Sequence, residues 1–79
     1  MPHIDLTQMK AGQRGSVVAI QGGHGMRARL ESMGIRPGVM LTKLSTQFMR
    51  GPITVRVGTA HIAIGFGMAR RVIVTPEPE

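Results

Sequence analysis

Three histidines and an aspartate are the residues of this chain that could ligate a metal ion. His3, Asp5, His24 and His61 carry N and O donors of the kind that Fe2+ accepts. No pair of them has the close spacing of a metal-binding motif, and the chain contains no cysteine. The favoured interpretation is that these are surface residues and that no cofactor is tightly bound, with weak Fe2+ binding as the alternative.

The residues that could perform catalysis are too few and too scattered to form an active site. Ser16, Ser32 and Ser45 have no recognisable base with a group to orient it, and the sequence contains only four acidic residues. The chain is therefore predicted not to be an enzyme and to have no small-molecule substrate.

Seven methionines could act as soft metal ligands, but thioethers prefer Cu(I) to Fe2+, and methionine commonly fills gaps in a core.

A glycine-rich stretch, Gly23-x-Gly25-x-x-Ala28, has the letters of a dinucleotide-binding fingerprint. The helix that would follow it is too short, and no acidic residue lies about 20 positions later to bind a ribose. The glycines are better explained by a tight turn before a helix. Free N–H groups at this helix start, beside Arg27 and Arg29, could still donate hydrogen bonds to a phosphate or to a carboxylate of a partner.

Residues 26–38 predict a short helix followed by a turn. Met26, Leu30 and Met33 fall at i, i+4 and i+7 and so share one face of a helix about two turns long. Gly34 suits the left-handed residue that ends a helix, and an apolar residue after it can fold back onto the helix. The following Pro37–Gly38 pair has the residues of a type II turn.

The remaining apolar patterns predict short strands, and residues 3–15 look like an irregular lead-in. The five predicted strands are 16–20, 39–44, 53–57, 61–64 and 71–74. This spacing favours a mainly β fold, a small five-stranded antiparallel barrel with one short inserted helix. The domain is expected to span residues 1–75, with a disordered acidic tail at 76–79.

The chain has 79 residues and a net charge of +6, which indicates attraction to an acidic partner surface or simple solubility. Nucleic-acid binding is disfavoured, because Phe48 and Phe66 are the only aromatic residues on which a base could stack. No apolar run approaches the roughly 18 residues of a membrane span, and the amino terminus lacks the pattern of a signal peptide. A cytoplasmic location is therefore expected.

Several segments together resemble the FeoA family of ferrous iron transport proteins over roughly residues 4–75. The matching segments are Arg29-Leu30-x-x-Met33-Gly34-Ile35-x-Pro37-Gly38, Gly51-Pro52-Ile53-x-Val55-x-Val57, Ile62-Ala63-Ile64 and Ala69-x-x-Val72-x-Val74. The resemblance implies an SH3-like barrel and a cytoplasmic accessory role beside FeoB, the ferrous iron permease with a GTP-binding domain. Similar barrels occur in iron-dependent repressors. The chain departs from the family pattern at residues 65–68.

The helix and the turn after it are the predicted surface for the FeoB-type permease. The predicted partner-binding residues are Met26, Arg27, Arg29, Leu30, Met33, Ile35 and Arg36. The chain would then be peripheral to the membrane through its partner. The alternatives are a basic nucleic-acid or repressor-associated barrel and direct Fe2+ binding, and uncovered strand edges would allow a homo-oligomer.

Overall fold

The computed structural model describes residues 3–45 and 49–78. In chain order the elements are β1 (Ile4–Asp5), a 3₁₀ helix (Leu6–Gln8), β2 (Arg14–Ile20), α1 (His24–Ser32), β3 (Met40–Lys43), β4 (Ile53–Val57), β5 (Ala60–Ile64), α2 (Phe66–Ala69) and β6 (Val72–Pro76). Phe48, one of the two aromatic residues considered for base stacking, lies outside the described residues, as does Glu79 at the end of the predicted tail.

The strands form one sheet in the order β1-β6-β2-β3-β4-β5, and every neighbouring pair is antiparallel. The mainly β fold with a short helix inserted after a strand is therefore as predicted. Residues 3–45 and 49–78 contain six strands where the sequence predicted five, because Ile4 and Asp5 pair with Val74 and Ile73. Two residues are too few to show a periodicity, so only the tertiary pairing defines this strand.

The last strand also runs further than predicted. It continues to Pro76, which lies opposite Gly15, and the backbone N–H of Glu77 donates to the Arg14 carbonyl at 2.8 Å. A proline is tolerated at the end of a strand, where its missing N–H costs no ladder bond. A Cβ on Gly15 would lie 3.1 Å from the Thr75 carbonyl oxygen, so the close approach of β2 to β6 depends on this glycine.

The core is formed by apolar residues from every strand except β1, from α1, from both short helices and from two connecting segments. The buried apolar residues are Leu6, Met9, Val17, Ile20, Leu30, Ile35, Leu41, Ile53, Val55, Ile64, Ala69, Val72 and Val74. The 3₁₀ helix and α2 contact each other and bury Leu6 and Ala69 completely. The inward residues of β3 and β4 alternate with exposed or half-buried ones, as expected of strands with one face on a core.

Lys43 is the single buried charged side chain among residues 3–45 and 49–78, with 1% of its surface exposed. Its ammonium group donates to the carbonyl oxygens of Met9 at 2.7 Å and Thr7 at 3.3 Å. Burial lowers the pKa of Lys43, and the nearby Asp5 carboxylate opposes that shift. The lysine therefore attaches the amino-terminal segment to the sheet.

Within the described ranges, none of the helices has both the length and the apolar character needed to cross a membrane.

Candidate partner-binding surface

Helix α1 begins two residues earlier than the apolar pattern predicted. Gly23 is its N-cap, in an extended conformation and without a side-chain hydrogen bond, and His24 is the first helical residue. Gly22 before it has a φ of 134°, which favours glycine, and a Cβ there would lie 3.2 Å from the Met26 sulfur. Gly22 thus lets Met26 fold back against the loop that precedes the helix.

The end of α1 has the predicted form. The N–H of Ile35 donates to the Leu30 carbonyl and that of Gly34 to the Glu31 carbonyl, both at 3.0 Å, which is the Schellman pattern. Gly34 has the expected positive φ, 92°. Two apolar side chains close this end of the helix, because Leu30 and Ile35 are both fully buried.

The type II turn after the helix is confirmed as well. Gly38 has a φ of 94°, and the Val39 N–H donates to the Arg36 carbonyl at 3.1 Å. This turn directs the chain into β3 and leaves Arg36 exposed.

Two of the predicted partner-binding residues do not reach the surface. Leu30 and Ile35 have no exposed surface, because the helix ending folds them onto each other within the core. They hold α1 against the sheet, and we exclude them from the contact surface.

The other predicted residues lie at the surface, but they do not form one cluster. Met26 and Met33 are half-buried and pack against the core, whereas Arg27 and Arg29 are exposed. At 100° per residue, Arg27 and Arg29 point about 160° apart around the helix axis. The two arginines therefore flank the apolar stripe from opposite sides.

A groove of about 280 Å³ lies on the Arg29 side of α1. Its lining residues are Gly25, Met26, Arg29 and Met68. Arg27, Met33 and Arg36 are not among them, so the structure brings together only Met26 and Arg29 of the predicted set. We call this feature the methionine groove.

Met68 is the lining residue that sequence reasoning missed. It lies in α2, within the segment that departs from the family pattern, and the four residues of this helix are too few to show a helical periodicity. The signal available in the sequence was a methionine close to two glycines in this divergent segment. No local sequence pattern, however, indicates that Met68 lies beside Met26. The fold does so by returning the chain to α1 after β5.

The methionine groove combines an apolar floor with one cation at its edge. Met26 and Met68 are half-buried, and flexible thioether side chains adapt to the shape of a bound group. The guanidinium of Arg29 makes no ion pair or hydrogen bond with any residue in the described ranges. Such a groove can hold an apolar side chain and pair with a carboxylate next to it.

The histidines considered as metal ligands are spread over the molecule. His3 precedes β1, His24 begins α1 and His61 lies in β5, and all three are exposed. Within residues 3–45 and 49–78, no three side chains of His, Cys, Asp or Glu lie close enough together to hold a metal ion.

Comparison with solved structures shows the same architecture in other proteins. An iron uptake regulatory protein, FeoA, is 41% identical and superposes with a TM-score of 0.90, over 96% of this chain and all of that one. The zinc complex of FeoA from Stenotrophomonas maltophilia, a procaryotic SH3 domain protein, is 22% identical with a TM-score of 0.79 over 91% of this chain and 89% of that one. The predicted SH3-like fold is thereby confirmed.

A manganese-dependent transcriptional repressor shares the fold, with 24% identity and a TM-score of 0.89 over 98% of this chain and 42% of the repressor. No curated protein matches the sequence significantly. The sequence model of the FeoA domain matches residues 4–76, the span that includes the six strands and three helices of the described residues. With this match and the 41% identity to a solved FeoA, the chain belongs to the FeoA family, which is associated with ferrous iron transport.

Proposed function

We propose that this chain is a cytoplasmic accessory protein of ferrous iron uptake that binds the GTP-binding domain of a FeoB-type permease. Family membership supports the transport context. The observation that carries the binding role is the methionine groove, where Met26 and Met68 form an apolar floor beside the guanidinium of Arg29, which has no partner among the described residues.

The groove suits a helix or loop of another protein better than a small substrate. Its volume is only about 280 Å³, and its four lining residues offer one cation and no acid–base pair. An apolar side chain of the permease inserts between the two methionines, and an acidic residue beside it pairs with Arg29. The chain therefore acts by altering the partner's nucleotide-linked uptake and performs no catalysis of its own.

Calorimetric titration of the full chain into the isolated GTP-binding domain of its cognate permease tests this proposal, at low and physiological salt and with or without nucleotide. Arg29→Ala should weaken binding by about tenfold, the effect expected when an interface arginine is lost. Arg27→Ala is the matched control, because it removes the same charge from the same helix on the side away from the groove. This control should weaken binding by less than about threefold.

Met68→Ser tests the apolar floor separately and should also weaken binding, since serine removes the thioether surface from the groove. Equal losses for Arg27→Ala and Arg29→Ala would show that the contact is not at the groove. Absence of binding in every nucleotide state would refute the GTP-binding domain as the partner.

A further inference from the structure

A second feature, separate from the methionine groove, is a row of side chains that crosses four strands. Arg14 of β2 lies opposite Thr42 of β3, Thr42 lies opposite Arg56 of β4, and Arg56 lies opposite His61 of β5. Residues directly opposite each other in antiparallel strands point to the same face of the sheet. The register therefore places two arginines and a histidine in one line.

This line is on the outer face of the sheet. Arg14, Arg56 and His61 are exposed and Thr42 is half-buried. By contrast Leu41, which precedes Thr42, and Val55, which precedes Arg56, are buried in the core. Because successive side chains of a strand point to opposite faces, the row points to solvent.

The row borders a surface groove of about 390 Å³. Its lining residues are Arg14, Met40, Thr42, Arg56 and Gly58. Neighbouring strands lie about 4.8 Å apart, so the backbones of β2 and β4 are separated by roughly 10 Å. Two guanidinium groups thus flank a polar centre at Thr42, and Met40, 37% exposed, adds an apolar contact.

The charges on this surface are incompletely neutralised. The side chain of Arg56 makes no ion pair or hydrogen bond with the described residues. Arg14 lies 3.7 Å from the carboxylate of Glu77, and both side chains of this pair are largely solvated, with 55% and 44% exposure. The molecule's own carboxyl-terminal segment thus supplies a carboxylate, that of Glu77, as the ion-pair partner of Arg14.

We propose that Arg14, Met40, Thr42, Arg56 and His61, here termed the basic sheet surface, bind an acidic peptide segment of a partner protein. Carboxylates of the segment pair with Arg14 and Arg56, and an apolar side chain between them contacts Met40. Within residues 3–45 and 49–78, no Phe, Tyr or Trp lines this groove, so this part of the chain gives it none of the stacking surface that single-stranded nucleic acids use. The proposal is independent of the role of the methionine groove.

The peptide Glu-Ala-Glu-Leu-Glu-Ala-Glu, with blocked ends, serves as the probe, and its counterpart with Gln at every Glu position is the neutral control. We expect the acidic peptide to shift backbone amide resonances of β2, β3 and β4 in nitrogen-15 NMR spectra of the full chain. The shifts should become smaller at higher salt. The neutral peptide should cause none.

Arg56→Glu should weaken binding of the acidic peptide by about tenfold or more, because a charge-assisted pair becomes a repulsion. Arg70→Glu is the matched control, since it lowers the net charge equally at an exposed position after α2. Glu77→Gln should strengthen binding, because it removes the carboxylate that competes for Arg14. All three variants are at exposed or half-buried positions, so they should fold, and their NMR spectra test this.

Equal weakening by Arg56→Glu and Arg70→Glu would overturn the assignment, since it would show attraction to net charge alone. Binding of the neutral peptide, or unchanged binding in Glu77→Gln, would do the same. A short DNA duplex that shifted the same resonances and bound with higher affinity than the peptide would also overturn the proposal. The ligand of this surface would then be a nucleic acid.

Discussion

Replacing Lys43 by methionine should destabilise the protein and loosen its amino-terminal segment. The ammonium group of Lys43 is the buried donor for the carbonyl oxygens of Thr7 and Met9. Methionine has a similar length and no donor, so the exchange preserves packing and removes the two hydrogen bonds. The segment around the 3₁₀ helix then keeps its apolar contacts but loses this polar attachment to β3.

The size of the effect follows from the hydrogen bonds and the cost of burying the charge. A hydrogen bond from a charged group contributes about 1.5–3 kcal/mol, and a buried carbonyl left without a donor costs about 1–3 kcal/mol. Methionine also avoids the desolvation that lowers the pKa of Lys43, which offsets part of this loss. We therefore expect the free energy of unfolding to fall by about 2 kcal/mol, and Tm by roughly 10 °C in a domain of this size.

The difference between the two proteins should depend on pH. The pKa of Lys43 in the folded protein is lower than the usual 10.5. At pH values between that lowered pKa and 10.5, the unfolded chain therefore binds more protons than the folded protein. The unfolding free energy of the wild type therefore rises with pH across this window and levels off above 10.5. Lys43→Met has no such group, so its stability deficit should grow as the pH is raised.

Urea unfolding at several alkaline pH values measures both effects, and hydrogen exchange reports opening of residues 4–9. Lys10→Met is the matched control, because it replaces an exposed lysine of the same region and should change stability by less than about 1 kcal/mol. A Lys43→Met protein as stable as the wild type, with unchanged exchange at residues 4–9, would refute the proposed attachment. A pH-independent deficit would refute the lowered pKa.

Two further predictions concern α1 and are checked by urea unfolding. Gly34→Ala should cost about 1 kcal/mol, because alanine is strained at a φ of 92° although Val57 leaves room for its Cβ, whereas Gly25→Ala should stabilise the helix by about 0.5 kcal/mol. Equal effects of the two exchanges would contradict the left-handed helix ending. Leu30→Ala should cost about 3 kcal/mol and Met33→Ala less than about 1.5 kcal/mol, because only Leu30 is fully buried. A larger loss of stability in Met33→Ala than in Leu30→Ala would show that Met33, and not Leu30, is the residue that anchors the helix in the core.

The sequence by itself determined the features that depend on neighbouring residues. Gly34 and Gly38 both have the positive φ expected from the helix and turn patterns. The strand Ile53–Val57 has the predicted bounds, since its strict alternation and the flanking turn residues leave little choice. In these segments the backbone conformation is decided within about four residues, a range in which residue type is informative.

Only the tertiary structure decided which distant residues meet. The alternation of side chains along a strand puts Lys43 on the same side as Leu41, but the carbonyls of residues 7 and 9 that accept its hydrogen bonds lie more than thirty positions away. Met68 reaches the methionine groove through the return of α2 to α1, and Arg14 and Arg56 align only through the register of three strands. Register and packing are set by contacts across the whole chain, so no local pattern contains them.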